Sequence, residues 1–306
     1  MALAAFRRIQ IGEESTEGTR VAATKILTGA LTVEPIINWH EPTDEFNSLS
    51  ANKRRVLLSQ MSRLRYTGDA TYQQITNFFA IGMNPDITAT TVSTDGKQYI
   101  FTPSLTTKNV PNSYTFEYGD DTQMWEVGYV TLESMDLSFM VNEPVSLTAN
   151  MFGSFPAKST FTSGLAATAA NEIIANHTQL FIDNSWAALG GTQKTSTLVG
   201  GRVTINTGLQ PIKYADGAVE MVAALSRVKH NAVTMELDLA VNSNTIAEYD
   251  AAVASPAGTL RAIALNFTGP NIGTADRFFQ VAAIGHYTAP PEIFGERDGE
   301  NIMRFR

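Results

Sequence analysis

Residues 114–153 read YTFEYGDDTQMWEVGYVTLESMDLSFMVNEPVSLTANMFG, and the fold turns on this stretch. From Met135 onward Met135, Leu137, Phe139 and Val141 fall on one face, and Asp136, Ser138 and Met140 on the other. A polar turn, Asn142-Glu143-Pro144, separates this run from a second alternation. There Val145, Leu147, Ala149 and Met151 oppose Ser146, Thr148 and Asn150. Period-two alternation on both sides of a short turn predicts a half-buried antiparallel hairpin. A hairpin of this length with so few ionisable groups suits a wall better than an active site.

The composition agrees. A chain of 306 residues can bury a substantial core as one or two domains. Charged residues make up 17% of it, below the roughly 25% of ordinary soluble domains. Uncharged polar residues fill the difference, threonine above all, and threonine favours strands. The formal charge of −8 argues against a general nucleic-acid-binding surface and against docking on an anionic membrane. Cysteine is absent, which rules out disulfides, thiolate zinc sites and thiol nucleophiles. No apolar run approaches the ~20 residues of a membrane-spanning helix. In the opening MALAAFRRIQIGEE the apolar residues precede the arginines, the reverse of a secretory signal. Synthesis and folding in a reducing cytosol are expected.

Two helices are predicted against this strand background. Thr71 and Gln74 form a candidate capping box, with Tyr72, Ile75, Phe78 and Phe79 on one helical face and Gly82 as a stop. In the second half Val233, Met235, Leu237, Leu239 and Val241 alternate as a strand. Asn242-Ser243-Asn244 turns, and Thr245 and Glu248 form another candidate box, with Ile246, Tyr249 and Val253 on one face. New strands are expected at 261–267 and 278–284. A strand, a one-sided helix and more strands in each half predict a tandem duplication, with β-domains at 1–156 and 157–306. The Ala/Thr/Ser/Asn-rich segment 157–179 reads as an inter-domain connection or a short exposed helix.

Catalytic patterns are scarce. His40, His177, His230 and His286 lack the paired spacing that places two imidazoles on one metal. Asp120-Asp121 lacks the spaced oxygen ligands of a calcium loop and reads as a solvated turn. Gly190-Gly191 and Gly200-Gly201 match no phosphate-binding loop, and no serine sits in a nucleophile elbow. Trp39, Trp125 and Trp186 are the platform candidates for a different-class alternative, a carbohydrate-active or carbohydrate-binding β-domain protein. No catalytic residue, cofactor or metal is expected. The one basic cluster is Lys53, Arg54 and Arg55, and an acidic stretch with Glu34, Glu41, Asp44 and Glu45 precedes it. These read either as complementary patches through which copies of the chain meet, or as a solvated loop followed by a polar strand. The hairpin residues Met135, Leu137, Phe139, Val141, Val145 and Leu147 complete the candidate assembly set.

Four segments resemble the major tail tube proteins of long-tailed bacteriophages. They are GTRVAATKILTGALTVEP at 18–35, LRYTGDATYQQITNFFAIGMN at 64–84, the stretch from YTFEYGD through VGYVTLESMDLSFMVNEPVSLTANMFGSFP, and VTMELDLAVNSNTIAEYDAAV at 233–253. The likeness is in strand and helix patterns and covers about half the chain. It implies mainly β architecture, with barrel or sandwich domains each flanked by a short helix. It also implies sheets that join between subunits into a tube wall, with no active site. Rings would stack into a conduit, other tail proteins would meet its ends, and DNA would pass as cargo. Location in the virion tail, after synthesis in the host bacterial cytoplasm, follows from the same resemblance. Single-domain members of that family are about half as long and form sixfold rings. A duplicated chain is therefore expected as a homotrimeric, pseudo-sixfold ring in preference to a homohexamer. An inner tube of a contractile tail or secretion machine is the nearest alternative.

Overall fold

The structure is a computed structural model that describes residues 6–42, 54–83, 89–102, 111–167, 169–215, 219, 222–224, 232–254, 259–297 and 299–306. It is mainly β, with antiparallel sheets. The first half holds β1 (Arg8–Glu13), β2 (Lys25–Leu27), β3 (Ala30–His40), β4 (Val56–Asp69), α1 (Ile75–Gly82), β5 (Thr90–Thr91) and β6 (Lys97–Gln98). It continues through β7 (Tyr114–Gly119), β8 (Met124–Met140) and β9 (Ser146–Gly153). The second half begins with β10 (Ala157–Ser159), β11 (Thr178–Asp183), β12 (Leu198–Asn206), β13 (Gln210–Ile212), β14 (Val222–Ala224) and β15 (Ala232–Ala240). After α2 (Ser243–Val253) come β16 (Leu260–Ile272), β17 (Ala275–His286), β18 (Glu292–Arg297) and β19 (Glu300–Phe305).

The hairpin expected at 135–151 is formed. β8 and β9 pair antiparallel, with Met135 opposite Ala149 and Leu137 opposite Leu147. β8 is the hinge of the architecture. Its N-terminal part pairs with β7 and β10, and its C-terminal part lies between β9 and β12. Tyr129 adopts a left-handed φ of 58° where the partners change. The Tyr129 amide donates to the buried carboxylate of Glu14 at 2.9 Å, which helps hold a conformation that costs a non-glycine residue energy.

Following the pairings from one edge to the other gives an eight-stranded path, β3-β4-β9-β8-β12-β15-β19-β18. The first four strands belong to 1–156 and the last four to 157–306. Each set lies in the same relative order: first strand, second, fourth, third. In each set a helix follows the second strand, α1 after β4 and α2 after β15.

One face of this sheet is apolar and carries the core. Leu64, Met135, Leu137, Phe139, Leu147, Ala149, Met151, Val203 and Leu237 are buried in a single cluster with residues of both halves. Helix α1 and the small sheet β11-β16-β17 contribute its cover. Phe79 lies 6.0 Å from Phe279, and Phe139 meets Phe267 edge to face. The expected face of α1 is formed, since Ile75, Phe78 and Phe79 are buried and Tyr72 is half-buried.

Both helix starts differ from expectation. Thr71 is held extended by a bridge to Glu172, and its hydroxyl accepts from the Gln74 amide. The chain makes a turn before α1 begins at Ile75. At α2 the cap is Asn242, whose side chain accepts from the amides of Asn244 and Thr245. The Thr245 hydroxyl instead donates to the Ala240 carbonyl. Of the expected face, Tyr249 packs half-buried against the core, whereas Ile246 and Val253 are exposed and Glu248 is buried. The segment 157–179 is a connection containing β10 and one 3₁₀ turn, with no α-helix.

Candidate assembly surfaces

Three surfaces stand out. The first is the pair of sheet edges. Among the described residues β3 pairs only with β4, and β18 only with β19. The row of backbone groups left open along such an edge is a template for another strand.

The second is an arm. β4 pairs with β9 only from Ser62 onward, so over Val56–Met61 its ladder partner is β3 alone, while the Gln60 amide donates to the Val219 carbonyl and Met61 packs on Phe152 and Leu209. Ile37, Trp39, Val56 and Leu58 on the arm are all exposed. Their closeness on two paired strands marks a candidate interaction surface in the sense that scattered exposed apolar residues do not.

The third is the polar face of the eight-stranded sheet. Asp136 lies opposite Thr148 and Thr204, Arg202 opposite Ser138 and Glu236, and Asp238 opposite Arg304. Ion pairs cross from strand to strand on this face: Arg63–Glu133 at 3.0 Å, Arg202–Asp136 at 2.9 Å and Arg306–Glu236 at 3.2 Å. Arg304 grips Asp238 through Nε at 2.7 Å and a terminal nitrogen at 2.9 Å. The hydrogen bonds that Arg304 donates to Asp238 raise its pKa further above the ordinary value. A shallow groove of about 290 Å³ runs between Ser138, Ser146, Arg202, Glu236 and Arg304.

The expected assembly residues fall into two groups. Met135, Leu137, Phe139, Val145 and Leu147 are buried in the core and Val141 is half-buried. Their side chains stiffen the sheet from behind. Glu34 is exposed on β3 opposite Arg63. Glu41 accepts an ion pair from Arg55 at 2.6 Å, so acidic and basic stretches meet across the arm of one chain, where Arg54 is also exposed. Asp44, Glu45, Lys53 and His230 lie outside the described residues.

The Asp120 carboxylate accepts from the amides of Thr122 and Gln123 in a turn, and these bonds hold its pKa below the ordinary value. His40, His177 and His286 are exposed. No group of three metal-ligating side chains occurs among the described residues. The three tryptophans lie on separate elements: Trp39 on the arm, Trp186 in a turn after β11, and Trp125 on β8, stacked on Tyr118. Among the described residues no helix is long and apolar enough to cross a membrane.

Sequence reading missed the buried charges. Glu248 takes Lys194 at 2.9 Å and Arg261 at 2.8 Å, all three nearly buried, and so ties α2 to β16. The alternation of polar residues along β8, β12 and β15 was the available signal for the ion-paired face, but the partners come from distant strands. Compared with known proteins, the chain matches no protein-family model and no curated protein.

Proposed function

We propose that this chain is a self-assembling virion structural protein, the tube subunit of a long-tailed bacteriophage, and that three copies close a pseudo-sixfold ring. The observation that carries the reading is the twice-repeated strand order, with edges at β3 and β18 that have no further partner strand among the described residues. Inside the chain β8, the third strand of the first set, pairs with β12, the first strand of the second set. A contact between β18 of one copy and β3 of the next repeats that junction between equivalent strands. Each ring would then hold six such junctions, three within chains and three between them, and leave no edge bare.

Dimensions are compatible with a conduit. Eight strands from each of three chains, ~4.8 Å apart and tilted by roughly 40°, close a wall about 50 Å across. After an inner layer of side chains the bore still admits a DNA duplex. The arm, with Ile37, Trp39, Val56 and Leu58 exposed, is suited to contact the neighbouring ring. Tail proteins at the tube ends and DNA as cargo complete the partners in this reading.

Negative-stain microscopy of the purified protein, with symmetry averaging, tests it. Rings or hollow tubes with three chains per layer are expected. Six equivalent chains per layer would remove the trimer, and a monomer that stays dispersed at high concentration would remove the tube altogether.

A further inference from the structure

The polar face of the eight-stranded sheet carries Arg63, Arg65, Arg202, Arg304 and Arg306, enough guanidinium groups to follow a nucleic-acid backbone. We propose that the carboxylates beside them act as masks, which keep this face from adhering to duplex DNA. The inference rests on the tube reading: helix α1 and the sheet β11-β16-β17 cover the apolar face, so the polar face would line the bore.

Four of the five arginines are held by a carboxylate on another strand of the same sheet: Glu133, Asp136, Asp238 and Glu236. Asp136 also accepts from the hydroxyl of Thr204, which fixes its position between β8 and β12. The acceptor geometry of a carboxylate is the one a phosphate would offer, and guanidinium binds either through the same fork. Arg65 has no ion pair among the described residues. It lies between Thr32 and Asn150 on the neighbouring strands, and one cation makes only one phosphate contact.

Stability accounts for the mostly buried Arg304–Asp238 pair but not for the three pairs whose arginines are exposed. Exposed ion pairs add little to it, and serine or threonine at these positions would satisfy a hydrated sheet face equally well. A face that is charged in detail yet locally balanced stays hydrated and gives a polyanion no net attraction. Removing the acidic partners would leave arginines whose phosphate contacts release counterions, which is the main source of sequence-independent affinity.

The test compares the wild-type protein with a Glu133→Gln/Asp136→Asn/Glu236→Gln variant, using a fluorescent DNA duplex at low and at physiological salt. The buried Asp238 is left intact so that the fold is preserved, and circular dichroism with thermal melting checks that it is. Wild type should not bind. The variant should gain at least about tenfold in affinity, falling steeply with salt, and adding Arg202→Gln should reduce the gain. DNA binding by the wild type, or a folded variant that gains none, overturns the masking. Microscopy of the same preparations separates the two readings. Rings without a gain in binding overturn the mask alone, whereas a gain in a protein that never forms rings overturns its place in a tube.

Discussion

Phe139 of β8 and Phe267 of β16 meet edge to face, with ring centroids 5.6 Å apart and planes at 85°. One residue belongs to the long hairpin of the first half and the other to the sheet that covers it from the second. Both are almost fully buried, so the halves are joined through packed aromatic surface as well as through backbone pairing. Phe267→Ala should cost about 3–5 kcal/mol and should destabilise both halves together. Urea unfolding followed by fluorescence and by circular dichroism should give coincident transitions, and separate transitions would show halves that fold independently.

Gly82 closes α1 in a place with no room for a side chain. A Cβ there would sit 2.6 Å from Leu132 Cδ2 and 2.9 Å from Thr207 Cγ2. Gly82→Ala should therefore lower stability by about 1–3 kcal/mol through overpacking, although alanine favours helix. A raised melting temperature would show that the neighbours yield.

Glu248 holds two nearly buried cations. Glu248→Gln leaves Lys194 and Arg261 uncompensated and should cost about 3–5 kcal/mol, whereas Lys194→Met, which spares the Arg261 pair, should cost clearly less. Chemical denaturation of the two variants side by side measures the difference. Equal losses would mean that the lysine carries the cluster.

Acid should act partly through Asp183. Burial alone would raise its pKa, but hydrogen bonds from Thr192, Gly190 and Gly191 outweigh burial and hold it below the ordinary 3.8. A depressed carboxylate contributes stability that is present above the unfolded value and lost as pH falls through the folded one. Stability should thus decline below about pH 4, with a smaller decline in Asp183→Asn, as thermal melts across this range would record.

Alkali should act through Tyr66. Burial, assisted by the charge of Asp69, pushes its phenol up to about 12 from 10.0. With the folded value raised, its contribution is complete below pH 10 and is lost as pH climbs toward 12. Tyr66→Phe should flatten that part of the alkaline slope at a cost of about 1 kcal/mol for the lost hydrogen bond to Thr28. Tyr72 and Tyr129 are pushed up to about 12 as well, so part of the slope should remain.

Local patterns made much of this fold legible. The alternation about Asn142-Glu143-Pro144 marked β8 and β9 because side-chain direction along a strand is a property of neighbours. The face of α1 was readable for the same reason. Its start was not, because Thr71 is fixed by Glu172, about a hundred residues away in sequence. Helical spacing put Ile246, Tyr249 and Val253 on one face, but Tyr249 alone of the three packs on the core, because Glu248 turns the polar side of α2 toward Lys194 and Arg261. The ion-paired face depends on register between strands such as β12 and β8, which no local window contains.

The position of β19 has a kinetic consequence. It lies between β15 and β18, with Leu237 opposite Phe305 and Ala240 opposite Ile302, and α2 and the β16–β17 hairpin intervene in the chain. Pairings this distant close slowly, because the loop entropy is lost before the contact is made. Until β19 arrives, β15 offers an open edge bearing Leu237 and Leu239, both buried in the finished molecule. Misfolding and aggregation during synthesis should therefore start at this interior strand, and a chaperone that shields newly made chains would have most to protect there.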